Sequence, residues 1–345
     1  MIYGANGYTG ELIAREARAR GLAPVLAARR ADALQPLAAE LGFEQRSFGL
    51  DDPSALDAGI SGVALVLHCA GPFSQTSRAM ADACLRKCIH YLDVTGEVDV
   101  FEALAARDAE AKRAGVALLP GVGFDVVPSD CLAAHMKRRL PDAIRLRLAF
   151  KAAVSLSRGT ASSTIERLGL PNLVRRAGVL TPVPMGALGR TIDFGAGPET
   201  TASIPWGDVS TAFHSTGIPD IEVYTAVPAA ARLGMRASAW LRPMLQAPSV
   251  QAFLKRSVQA GKAGPTAEQR ARARTLFVAQ AENAAGQSVT TLQQTPEGYT
   301  LTVETALASV ARVLAGDVRA GFLTPSLAFG PDFILQMNNV QRTDL

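Results

Sequence analysis

At 345 residues, the chain exceeds the size at which one hydrophobic core usually stops growing, so two domains are the first expectation. Its 48% hydrophobic and 19% charged residues place it in the globular range and exclude a disordered or fibrous protein. The formal charge of +4 and the pI near 9.0 come from 29 Arg and 6 Lys that are scattered, with no basic stripe interleaved with aromatics, which argues against a nucleic-acid partner.

The first ~120 residues alternate short apolar runs with helical patterns, the signature of repeated βαβ units in a parallel sheet. The opening strand has only Met1, Ile2 and Tyr3 before the first glycine, so it is either a stub or the end of a longer strand. Strands follow at Pro24 to Ala28, Val63 to Cys69, Tyr91 to Val94 and Val116 to Leu119. Helices are expected at Glu11 to Arg20, Ala33 to Leu41, Ser77 to Cys88 and Val98 to Ala114, the last stopped by Gly115. After the Pro128-Ser129-Asp130 turn comes a helix from Cys131 to Leu140, in which Ser129 and Asp130 read as caps.

From Ile144 to Phe150 apolar and polar residues alternate, which predicts a half-buried antiparallel strand and a change of architecture. Further strands are expected at Arg190 to Phe194, Glu222 to Val227, Ala273 to Asn283 and Gln287 to Gln294, with helices at Thr160 to Ala177 and Ala229 to Lys255. The Gly- and Pro-rich stretch from Pro182 to Gly207 reads as loop, and a last helix runs from Tyr299 to Leu314 with Gly316 beyond it. The domains are therefore expected at 1–127, at 128–298, and in a C-terminal segment 299–345 that returns to the first.

Four cysteines without framework spacing, and no charged-then-apolar leader before the first motif, point to a reducing cytoplasm. The most apolar stretch, Ile218 to Leu245, is interrupted by Arg232, Arg236 and Arg242. Peripheral contact with a membrane is compatible with this pattern and a span is not; a homodimer is compatible too.

Gly4-Ala5-Asn6-Gly7-Tyr8-Thr9-Gly10 sits where a strand hands over to a helix. There one glycine turns the chain, another admits a pyrophosphate to the backbone, and the third seats the helix on the strand. Gly4, Asn6, Gly7, Tyr8, Thr9 and Gly10 are thus the cofactor-binding candidates of the first loop. Nineteen residues after Gly10, where an NAD enzyme carries an acid for the ribose, stand Arg29 and Arg30. A guanidinium suits a 2′-phosphate, so NADP is expected rather than NAD; a solvated Arg pair beside the next helix is the plainer alternative. Ala70-Gly71-Pro72-Phe73, Val94-Thr95-Gly96-Glu97 and Pro120-Gly121-Val122-Gly123-Phe124-Asp125 each follow a strand and fall on the carboxyl-end rim where such sheets bind ligands. From these loops Cys69, Ala70, Gly71, Pro72, Phe73, Thr95 and Gly96 join the cofactor set.

The proton-donor candidates are Asp125, Glu97 and His68, with Tyr91 a further rim residue; Asp125 is first, since it ends the Gly-rich loop where the chain leaves the first domain. A turn aspartate bonding its own backbone would explain Asp125 equally well. No tyrosine is followed four positions later by lysine, and no Gly-x-Ser-x-Gly elbow occurs. Cys84, Cys88 and His90 lack a fourth ligand, so no metal is assigned. Ser157-Arg158-Gly159-Thr160 could bind an anion or simply cap a helix.

Taken together, Tyr3 to Gly10, Ala70 to Phe73, His90 to Glu97, Pro120 to Asp130 and Gly321 to Gly330 resemble the saccharopine dehydrogenase-like oxidoreductases, including their trans-acting enoyl reductase branch. In place of the small or amide residue expected before Cys69 stands His68. The resemblance implies an α/β fold: a Rossmann doubly wound parallel sheet with a second, mixed α+β domain. It also implies hydride transfer from NADPH to a C=C or C=N bond, less readily C=O, of a small or lipid-derived substrate. A non-catalytic NADP-binding module or redox sensor is the alternative.

Overall fold

The computed structural model describes residues 1–152, 157–238, 240–259 and 263–345. The chain divides into two compact units, one formed by Met1–Val127 with Tyr299–Phe329, the other by Pro128–Gly298 with Gly330–Leu345.

In the first unit, β1 (Ile2–Tyr3), β2 (Leu26–Ala28), β3 (Gln45–Ser47), β4 (Leu65–His68), β5 (His90–Asp93) and β6 (Ala117–Leu119) join the late strand Gly321–Phe322 in a seven-stranded sheet. From one edge the order is Gly321–Phe322, β6, β5, β4, β1, β2, β3, all parallel, and the order reverses between β1 and β4. Such a reversal opens a crevice at the carboxyl ends of the strands. Two apolar layers cover the sheet: Ile13, Leu26, Leu34, Leu67, Leu92 and Leu119 belong to one face, Tyr3, Ile60, Val66, Met80, Tyr91 and Leu118 to the other. β1 spans two residues, both buried and paired on each side. β3 and the helix Pro53–Gly59 go beyond the expectation; β3 is a polar edge strand and so shows no apolar run.

The helix expected at Val98 to Ala114 is two, Val98–Ala105 and Asp108–Ala114. The break lets the Asp108 carboxylate accept the backbone N–H of Phe322 (3.0 Å), tying the late strand to the sheet.

In the second unit the sheet is mixed. β7 (Ala143–Ala152), β8 (Asn172–Arg176), β9 (Val179–Val183), β10 (Gly189–Asp193), β11 (Pro198–Ser203), β12 (Asp220–Ala226), β13 (Arg274–Asn283), β14 (Ser288–Pro296) and Gln341–Asp344 make nine strands among the described residues. The alternating β7 pairs antiparallel with β13 as expected, but parallel with β12. The expected helix Thr160 to Ala177 is corrected: the helix is Arg158–Glu166, and β8 and β9 form a hairpin around Ala177 (φ 46°) and Gly178 (φ 81°). Two successive residues in the left-handed region make the tight turn whose twist suits a two-residue hairpin. Within the expected loop Pro182 to Gly207, β10 matches the strand expected at Arg190 to Phe194, while its partner β11, polar and bounded by glycine, leaves no apolar signature. The helix Asp208–Thr216 was likewise not foreseen. Ala229 to Lys255 is not one helix but Ala229–Ser238, Arg242–Leu245 and Pro248–Gln259, with Pro243 and Pro248 at the starts of the later pieces and residue 239 outside the described residues.

The segment 299–345 does not return to the first unit as a whole. Gly330–Leu345 belongs to the second, where Gln341–Asp344 adds to the edge of β14.

Candidate functional site

The dinucleotide loop is built by steric necessity. Gly4 has φ +82°, and a Cβ there would stand 2.8 Å from the Ala70 backbone nitrogen, so the loop after β4 lies directly against the loop after β1. At Gly10 a Cβ would meet the Gly4 carbonyl oxygen at 2.4 Å and the Ala5 Cα at 2.8 Å. Only glycine lets the helix Tyr8–Ala19 start this close to the strand end. Gly7, its N-cap, donates its N–H to the Gly4 carbonyl (3.0 Å), and no side chain caps the helix. An uncapped helix start at the end of a parallel strand offers backbone N–H groups and the positive end of the helix dipole to an anion.

Beside it lies a cavity of about 390 Å³ lined by Gly4, Asn6, Arg29, Arg30, Ala70 and Gly71 from the expected set. Tyr3, Leu50, Asp51, Gln75 and Thr76 complete the wall and were not foreseen. Leu50 and Asp51 follow the polar β3, whose absence from the sequence pattern hid them; Gln75 and Thr76 lie one helical turn beyond the Ala70–Phe73 loop. Arg29 and Arg30 are exposed and, among the described residues, form no ion pair. Gly7, Tyr8, Thr9 and Gly10 form the loop and helix start, while Cys69, Pro72, Phe73, Thr95 and Gly96 lie in the adjoining loops rather than in the cavity wall.

The candidate acids occupy three different environments. His68 is fully buried, its ring 5.5 Å from Tyr3 and 5.4 Å from Phe73, and burial pulls its pKa down to about 3. Thr76 donates its hydroxyl proton to the Ala70 carbonyl (2.7 Å), with Pro72 O at 3.1 Å, so at the 2.9 Å contact the His68 Nε2–H must be the donor to Thr76 Oγ1. His68 is thus a neutral ring that fixes a cavity-lining side chain, with no dissociable proton to give near neutral pH. Glu97 accepts the backbone N–H groups of Phe73 (2.9 Å) and Ser74 (2.8 Å), holding the start of the helix Phe73–Lys87. Both of its oxygens are engaged in that capping.

Asp125 differs. Burial, with the Glu97 charge adding to it, raises its pKa to about 6. It packs on Gly96 so closely that a Cβ there would be 2.8 Å from Asp125 Oδ2. Its loop is held from below by the helix Gly298–Leu314: Thr302 Oγ1 accepts the Phe124 N–H (3.0 Å), and Thr305 Oγ1 donates to the Val122 carbonyl (2.8 Å).

A fourth acid, Asp93, was not foreseen, because it falls inside the strand expected at Tyr91 to Val94. It is completely buried and receives the Tyr91 hydroxyl (2.6 Å) and the N–H groups of Thr95 (3.0 Å) and Gly121 (2.9 Å). Burial outweighs these three bonds and raises its pKa to about 6. Asp93 therefore joins the loops after β5 and β6 through one carboxylate. The Cys69 thiol, raised to about 12 by burial and by the Asp93 charge, stays neutral. Among the described residues no cluster of His, Cys, Asp and Glu could hold a metal ion.

Residues 1–119 match the family model described as the saccharopine dehydrogenase NADP binding domain. The N-terminal part of the chain is thus similar to such a domain. The trans-acting enoyl reductase of Mycobacterium leprae is 30% identical over 148 residues, 41% of this chain and 35% of that protein. The saccharopine dehydrogenase-like oxidoreductase of Mus musculus is 24% identical over 214 residues, 54% of this chain and 50% of that protein. The chain thus spans half or less of the length of these relatives.

Among solved structures, apo saccharopine dehydrogenase (L-Glu forming) from Saccharomyces cerevisiae superposes with a TM-score of 0.69 at 12% identity, covering 100% of this chain and 99% of that one. Homospermidine synthase from Legionella pneumophila in complex with NAD gives 0.65 at 10% identity, covering 100% and 90%. At such identities the likeness establishes the fold: an α/β Rossmann-type parallel sheet with a second mixed domain. The described helices include none long and apolar enough to cross a membrane.

Proposed function

We propose that this protein is an NADP-dependent oxidoreductase that reduces a C=C or C=N bond, less readily C=O, of a small or lipid-derived substrate. The observation that carries the reading is the pair of unpaired arginines, Arg29 and Arg30, in the wall of the same cavity as Gly4 and Asn6 of the glycine loop. The cavity fits a dinucleotide on three counts: a cradle that a Cβ at Gly4 or Gly10 would fill, an uncapped helix start for a pyrophosphate, and unpaired guanidinium groups for a 2′-phosphate.

When bound, NADPH supplies the hydride. This chain's residues do the remainder. Arg29 and Arg30 select the phosphorylated ribose, the N–H groups at the start of the Tyr8–Ala19 helix hold the pyrophosphate, and Thr76, fixed by His68, shapes the wall. Asp125 is the residue best suited to deliver a proton: it keeps its proton up to about pH 6 and sits at the end of a rim loop. The C=C preference draws on the likeness to a protein named an enoyl reductase and on the absence of any tyrosine–lysine pair at the usual spacing.

Steady oxidation of NADPH with enoyl or imine compounds, faster than with NADH, is the expected result. Tight NADPH binding with no turnover across enoyl, imine and keto compounds would instead favour a non-catalytic NADP-binding module or redox sensor. That second reading draws on the engagement of His68 and Glu97 in holding the fold, which leaves Asp125 alone among the three candidates.

A further inference from the structure

In the second unit, the helices Ala229–Ser238, Arg242–Leu245 and Pro248–Gln259 lie on the surface with several polar side chains turned inward and several large apolar ones turned out. An ordinary surface helix turns its apolar stripe to the core and its charges to water. Here the polar side chains face the body of the unit: Arg232 donates to the backbone carbonyls of Gly186 (3.2 Å) and Ala187 (3.3 Å), Gln246 to that of Glu166 (3.2 Å), Gln251 to that of Ile165 (3.0 Å), and Lys255 pairs with Glu166 (2.6 Å). Met235, Leu245, Val250, Leu254 and Val258 are half-buried, whereas the other large apolar side chains point outward. Trp240 is 88% exposed, Leu233 and Phe253 68% each, and Met244 53%. The first two helices contain no buried residue among those described. The fold makes no use of this apolar surface.

Charge says what does. Residues 229–259 contain five basic residues and no Asp or Glu. Arg232 and Lys255 are engaged inward, while Arg236, Arg242 and Arg256 are exposed and, among the described residues, form no ion pair. We propose that this face docks on the surface of an anionic phospholipid bilayer, with Trp240, Leu233, Met244 and Phe253 entering the headgroup–acyl boundary and the three free arginines meeting lipid phosphates. Large apolar side chains flanked by cations and lacking acids are what such a boundary selects, and tryptophan settles there by virtue of its amphipathic ring. A second copy of the chain fits worse, since a two-fold contact would bring together two faces that each carry unpaired arginines and no acid to meet them. Nucleic acid would use the arginines and leave the exposed rings and aliphatic groups in water.

The test uses the full chain carrying Trp206→Phe, which leaves Trp240 as the sole tryptophan of the two. Vesicles of equal parts phosphatidylglycerol and phosphatidylcholine are expected to sediment the protein and blue-shift the Trp240 emission, and brominated acyl chains to quench it. Vesicles of phosphatidylcholine alone should bind far less. Reversing Arg236 and Arg242 together to Glu removes two favourable charges worth about five-fold each, so anionic-vesicle partition should fall roughly 30-fold or more. Leu233→Ser with Phe253→Ser should weaken sedimentation and the quenching of Trp240 while the circular dichroism of the chain stays unchanged, which certifies the fold. An unmoved Trp240 emission, or binding indifferent to charge reversal, overturns the proposal. So does a stable dimer that Trp240→Ser dissolves, since the face would then belong to a second copy. Vesicle binding and NADPH turnover are read separately, so failure of either leaves the other standing.

Discussion

Asp93→Asn tests the electrostatics at the centre of the candidate site. In the folded protein the Asp93 pKa is raised from 3.8 to about 6, first by burial, against the three hydrogen bonds that favour its charge. A carboxylate with a raised pKa stabilises the fold fully below its unfolded value and loses that contribution as pH climbs through the folded one. A shift of about 2 units at about 1.4 kcal/mol each amounts to about 3 kcal/mol, lost between pH 4 and pH 6 and absent at pH 8. Asparagine cannot ionise, so it escapes this loss.

The amide oxygen can still accept the Thr95 and Gly121 N–H groups, and the amide nitrogen can donate to the Tyr91 oxygen, leaving the second amide N–H and the Tyr91 hydroxyl proton without partners at a combined cost of about 2 kcal/mol. Asp93→Asn should therefore be less stable than the parent by about 2 kcal/mol at pH 4 and more stable by about 1 kcal/mol at pH 8. The constant offset depends on how the amide settles; the swing of about 3 kcal/mol depends only on ionisation. Urea unfolding of both proteins at pH 4, 5, 6, 7 and 8, following the transition of the first unit, measures it. A difference that stays flat with pH, or grows in the opposite direction, refutes the argument that an ionised Asp93 is held at a cost.

Arg29→Ala removes a charge-assisted contact worth about 1.5–3 kcal/mol, so NADPH should bind 10- to 100-fold more weakly in a fluorescence titration while NADH is unaffected; equal loss for both cofactors would refute the 2′-phosphate assignment. Gly10→Ala drives a Cβ to 2.4 Å from the Gly4 carbonyl oxygen, and since both neighbours are backbone the helix must move, at about 1–3 kcal/mol of stability by denaturant melt and with loss of NADPH binding. Asp125→Asn should lower kcat with little change in the Kd for NADPH; in the parent protein kcat should decline as pH rises through about 6, where the protonated acid disappears, and that limb should be missing in the variant. Retention of full kcat at pH 6 by Asp125→Asn would move the proton donor elsewhere.

The first unit was largely legible because its grammar is local. Four buried strands after β1 read as apolar runs, Gly4 and Gly10 stand where backbone contact with Ala70, Gly4 and Ala5 forbids a Cβ, and a Cβ at Gly7 would sit tightly at 3.3 Å from the Gly4 carbonyl oxygen. What failed to show is what locality cannot encode. β3 carries polar residues because it is an edge, and its loss hid Leu50 and Asp51 in the cavity wall. Asp93 and Asp125 look alike in sequence as acids near strand ends, yet the three donors around Asp93 come from Tyr91, Thr95 and Gly121, which only the fold brings together. His68 drew attention as an acid–base group; its burial among Tyr3, Phe73 and Tyr91 decides otherwise. In the second unit β8 to β11 are short, polar and bounded by glycine, so their pairing is set by partners rather than by composition.

The late segment 299–329 also bears on what counts as the nucleotide-binding domain. The family match ends at residue 119, just before the loop that carries Asp125. That loop owes its position to Thr302 and Thr305, and β6, the last strand within the match, is covered on its outer edge by Gly321–Phe322. Residues 1–127 alone would expose the β6 edge, release the Phe124 N–H and the Val122 carbonyl to water, and leave Val122, Leu119 and Leu92 without their neighbours Val303, Ala306 and Leu307. A buried apolar side chain is worth about 1.5–3 kcal/mol, so losing three from one layer removes a large part of a domain's total stability. The sheet that carries the glycine loop is thus completed at its far edge by residues some two hundred positions beyond β6.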